Sequence, residues 1–155
     1  MRLGRDSYPT IPEIHGEFVI GRATVLQEGN DVTLITTGIM VWEGLQAAQE
    51  LARGGLSVGV LHMPTLKPLD TVAVLAAARR SGAIVTAEEH SICGGLGEAV
   101  ASALAEEYPV PLRRVGMADV FGESGRADEL LDKYGLRARD IVCAAKRVLE
   151  AKRAS

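Results

Sequence analysis

At 155 residues and 47% hydrophobic content, the chain can bury one sizeable core and would be cramped as two full domains. A net charge of −3, with both signs spread along the sequence, gives no support to a broad nucleic-acid or anionic-membrane surface. Two cysteines make no disulfide framework, the N-terminus lacks an apolar signal core, and the longest apolar run (72–78) is far too short to cross a bilayer, so a soluble, cytoplasmic protein is expected.

Residues 1–17 contain two X-Pro steps and little periodicity, and read as a leading strap or linker ahead of a domain spanning 18–155. From Phe18 the stretch "FVIGRATVL" reads as a strand, followed after the short turn "QEGN" by the buried strand "DVTLITTG". The turn is too brief for a crossover helix, so these two strands are expected to run antiparallel. After Gly38, "MVWEGLQAAQELARGG" places Trp42, Leu45, Ala48 and Ala52 at helical spacing and ends on a Gly-Gly stop. "LSVGVLHM" is the next strand, Asp70 a plausible N-cap, and "TVAVLAAARRSG" a helix so apolar that most of its surface should be covered. "AIVTAEE" is a strand, and Leu96, Ala99, Val100, Ala103 and Leu104 then form the stripe of an amphipathic helix. "LRRVGMAD" is a more polar strand nearer an edge, and "ADELLDKYG" and "ARDIVCAAKRVLEAKRAS" are two closing helices. The basic residues towards the C-terminus are those of a solvated helix face. The alternation predicts an α/β domain with helices on both faces of a mixed sheet of about five strands.

In an open α/β sheet, ligands gather beyond the carboxyl ends of the strands, where "TTGIM", "HMPTLKPLD" and "EEHSICGGLG" lie. The residues singled out there as a possible interface or anion contact are Lys67, Glu88, Glu89, His90, Ser91, Gly94 and Gly95. A helix beginning near Gly94 offers backbone N–H groups to a phosphate or carboxylate, although the same glycines also permit close packing. The loop lacks the dinucleotide fingerprint and there is no Walker sequence. Glu88 and Glu89 are adjacent, so in an extended chain they point to opposite faces rather than converging on a substrate. His90 and Cys93 form an H-x-x-C pair with no clustered ligand spacing around it, and a buried, inert side chain is the expected fate of Cys93. No catalytic, cofactor-binding or metal-ligating residue is assigned.

Taken together, "GNDVTLITTG", "HMPTLKPLD", "TAEEHSICGGLGEAVA" and "ADVFGESGRADELLDKYGLRARDIVCAAKRVL" resemble, in order and spacing, the C-terminal domain of transketolase-like enzymes, close to the short, split bacterial and archaeal type. "MRLGRD" looks like the end of the last strand of a preceding pyrimidine-binding domain. The resemblance implies a three-layer α/β fold whose mixed five-stranded sheet has one antiparallel strand. It implies an enzyme that moves a two-carbon ketol unit between sugar phosphates with thiamine diphosphate and Mg or Ca, in which this domain is structural and dimer-completing. No Gly-Asp-Gly metal motif occurs here, and the family's catalytic glutamate belongs to another domain, so this chain alone is expected to bind no cofactor and to be inactive. Its partners would be the thiamine-binding domains or subunits, in a homo-oligomer. His62, Pro64 and Cys93 depart from the family pattern. Two alternatives remain: a free-standing regulatory module holding a phosphate or carboxylate at the Gly94 helix terminus, or the equivalent domain of a deoxyxylulose-phosphate synthase or 2-oxoacid dehydrogenase β subunit.

Overall fold

The computed structural model describes residues 8–12, 14 and 18–154. Of the leading strap, residues 1–7, 13 and 15–17 lie outside the described residues. Five strands, Thr24–Gln27 (β1), Val32–Thr36 (β2), Val58–His62 (β3), Ile84–Ser91 (β4) and Leu112–Met117 (β5), form one sheet in the order β1-β3-β2-β4-β5. The helices are Met40–Arg53 (α1), Thr71–Ser81 (α2), Leu96–Glu107 (α3), Ala127–Lys133 (α4) and Ala138–Ala154 (α5). All neighbouring strands are parallel except β1, which runs against β3. The mixed five-stranded sheet with one antiparallel strand is therefore as expected.

The central strand β2 is buried along its whole length, as a run of Val32, Leu34 and Ile35 covered on both faces must be. Val32, Leu34, Val58, Val60 and Val85 face α1 and α5, whereas Ile35, Leu61 and Ile84 face α2 and α3. Each fully buried aliphatic side chain contributes about 2 kcal/mol through removal from water, which makes these two cores the main driving force for the layered arrangement.

Two local expectations are corrected, and a third gains its pairing. "FVIGRATVL" is a strand only from Thr24, because Arg22 N donates to Val19 O and Gly21 sits at φ +79°, a turn that breaks the extended run. β1 does oppose β2 in direction, but its hydrogen bonds go to β3, which lies between them. The buried stripe of α1 is Val41, Gly44, Ala48 and Leu51 rather than Trp42, Leu45, Ala48 and Ala52; Trp42 and Leu45 are half-buried and Ala52 is exposed. The α1 face is set by the small residues Gly44, Ala47 and Ala48, which let the helix approach the sheet closely, so the largest apolar side chain was a poor guide to it.

The capping expectation for Asp70 holds, since its Oδ1 accepts from Ala73 N at 3.0 Å. Its other oxygen accepts from Ala23 N at 2.9 Å, and Thr65 Oγ1 accepts from Gly21 N at 2.9 Å. The "TLKPLD" loop thus fastens the segment entering β1 to the start of α2. On the opposite face of the sheet from α2, the Arg137 guanidinium reaches Glu43 on α1 at 3.2 Å and Asp128 and Asp132 on α4 at 3.0 and 3.5 Å. Ala138 N donates to the second Glu43 oxygen at 2.7 Å. Because α4 is only seven residues long and buries little, this clasp is what places it. The preceding loop (118–126) is tied down through Tyr134 Oη to Phe121 O and Glu123, and through the ion pair of Glu123 with Lys133, yet it presents the Phe121 ring fully to solvent.

Candidate functional site

An open cleft of about 1010 Å³ lies beyond the carboxyl ends of β2, β3 and β4. Such a position follows from parallel strands feeding helices on alternate faces, which leaves a crevice where the crossovers diverge. Of the residues singled out above, Lys67, Glu88, Glu89, His90, Gly94 and Gly95 line this cleft, and Ser91 closes β4 beside it. The structure therefore brings the group together.

Their chemistry is not that of an open anion site. Glu88 is 1% exposed, and its two carboxylate oxygens accept from Leu96 N and Gly97 N at 2.7 and 2.8 Å. The first-turn amides of α3, together with the positive end of the helix dipole, are thus matched by a carboxylate of the chain itself, eight residues earlier on β4. Gly95 is required for this: a Cβ there would lie 2.0 Å from Glu88 Oε2. Glu89 and His90 are both exposed, because the pairing of β4 with β5 becomes irregular between Ala87 and Ser91.

The rest of the loop closes on itself. His90 donates from Nδ1 to Ser91 O at 2.8 Å, with Glu88 Oε2 4.0 Å away. Ser91 Oγ accepts from Cys93 N, and Glu98 Oε2 accepts from Gly94 N, which sits at φ +72°. Lys67 is exposed. Cys93 is exposed rather than buried, because the turn after Ser91 swings it outward before α3 begins. Arg114 of β5 donates from Nη1 to Ile92 O at 3.0 Å and bolts the loop to the sheet edge.

Sequence reasoning gave little weight to one residue of the cleft wall. His62 ends β3 in register with Thr36 of β2, and among the described residues its Nδ1 and the Thr36 hydroxyl are buried without a hydrogen-bond partner. Burial lowers the imidazole pKa from its ordinary value of 6.5. As pH falls, the unfolded chain therefore takes up this proton more readily than the native one, and stability should decline below about pH 6.5. His62→Asn is expected to remove that part of the decline, read as the change in urea midpoint between about pH 7.5 and pH 5.5.

A thiamine diphosphate and its metal do not fit these residues. The helix terminus that would receive a diphosphate already holds a buried carboxylate, which would repel a second anion, and among the described residues no group of three acidic, histidine or cysteine side chains could hold a metal.

Residues 21–141 match the family model described as transketolase, C-terminal domain. The chain belongs to that family. A Clostridium 6-deoxy-6-sulfo-D-fructose transketolase subunit is 51% identical to this transketolase C-terminal domain over 152 residues, covering 98% of it and 47% of the relative. The 1-deoxy-D-xylulose-5-phosphate synthase 1 of Geobacter sulfurreducens is 41% identical over 138 residues, covering 88% of this domain and 22% of that enzyme. Among solved structures, a split-gene transketolase in an inactive β4 tetramer superposes with a TM-score of 0.89 at 48% identity, covering 96% of this domain and 48% of that chain. The transketolase C-terminal domain described here thus spans about half the length of the two transketolase chains and 22% of the synthase. No helix among the described residues is long and apolar enough to cross a membrane.

Proposed function

We propose that this chain is the C-terminal section of a cytoplasmic transketolase-type enzyme that moves a two-carbon ketol unit between sugar phosphates. Thiamine diphosphate and its Mg or Ca are held by other domains or subunits, and the role of this section is to support them within an oligomer. The observation that carries the reading is the Glu88 carboxylate on the amides of Leu96 and Gly97, which makes the glycine loop a structural corner and not a receptor. It weighs against a free-standing metabolite-binding module at the Gly94 terminus. Membership of the family and likeness to transketolase subunits support the activity proposed. The stretches "EEHSICGGLG" and "FGESG" favour transketolase over the synthase branch.

The test is calorimetry of the isolated chain with thiamine diphosphate and Mg. Heat signals should be absent at micromolar cofactor, and ketol transfer should arise only when the chain is joined by a thiamine-binding section. Tight cofactor binding by these 155 residues alone would overturn the proposal.

A further inference from the structure

We draw no further inference here: the strongest candidate, the apolar patch of Val120 and the fully exposed Phe121 on the loop between β5 and α4 at the rim of the cleft, carries nothing because nothing in the structure shows what covers it.

Discussion

Replacing Glu88 with alanine should cost the fold about 3 kcal/mol, read as a lowered urea midpoint at unchanged slope. The carboxylate is buried, and its two bonds to Leu96 N and Gly97 N satisfy donors that water reaches poorly. Removing it leaves both amides unpaired, abolishes a favourable contact with the α3 dipole and opens a void. Glu88→Gln should lose less, because one carbonyl oxygen still accepts while the new NH2 faces a donor. Gly95→Ala reaches the same place from the other side: its methyl would collide with Glu88 Oε2 and push the carboxylate off its amides. The two changes should therefore be non-additive, the double variant losing clearly less than the sum. A loss below about 1 kcal/mol for Glu88→Ala would show that these amides are satisfied without the carboxylate.

The second large effect is expected at Arg137. Its hydrogen bond with Asp128, and then its bonds with Glu43, raise the guanidinium pKa still further, so the group is charged at any working pH. Arg137→Ala leaves Glu43, which is largely shielded from solvent, with only the Ala138 amide as partner and should cost about 2 kcal/mol. The effect should be local as well as global. Amide exchange in α4 should accelerate well before exchange in β2 or α1, because α4 buries little besides Leu131 and depends on this clasp. Arg137→Lys should recover only part, since one ammonium cannot span Glu43, Asp128 and Asp132 with the geometry of a planar fork. Equal protection of α4 in wild type and Arg137→Ala would contradict the clasp.

Much of this could be read in the sequence because it is periodic or local. The burial of Val32, Leu34 and Ile35, the stripe on α3 and the Asp70 cap all follow from spacing along a few residues. What was missed depends on contacts across the fold. Glu88 caps a helix that starts eight residues later on another element, and no short-range capping rule anticipates a strand residue in that role. Arg137 meets Glu43 from 94 residues away. The α1 face was misjudged because Trp42 carries the strongest apolar signal, whereas Gly44 and Ala48 let the helix lie close to the sheet. Likewise the apolar run of α2 reads as a covered helix, yet only Val74, Ala78 and Ser81 are buried and Val72 is 77% exposed, because one face of small side chains is enough to pack it on the sheet.

The layering of α1 with α5 has a consequence for the order of events during synthesis. The core on that side needs Ala47, Ala48 and Leu51 from early in the chain and Ile141, Ala145 and Val148 from its last helix. The α2 and α3 side, by contrast, is complete once β5 has formed. A nascent chain can therefore close one half of its interior on the ribosome while Val32, Leu34 and Val60 still wait for their cover. Until residues 138–154 have cleared the exit tunnel, that open face is a sticky intermediate, and any shortening of this last helix should show itself first as aggregation during expression.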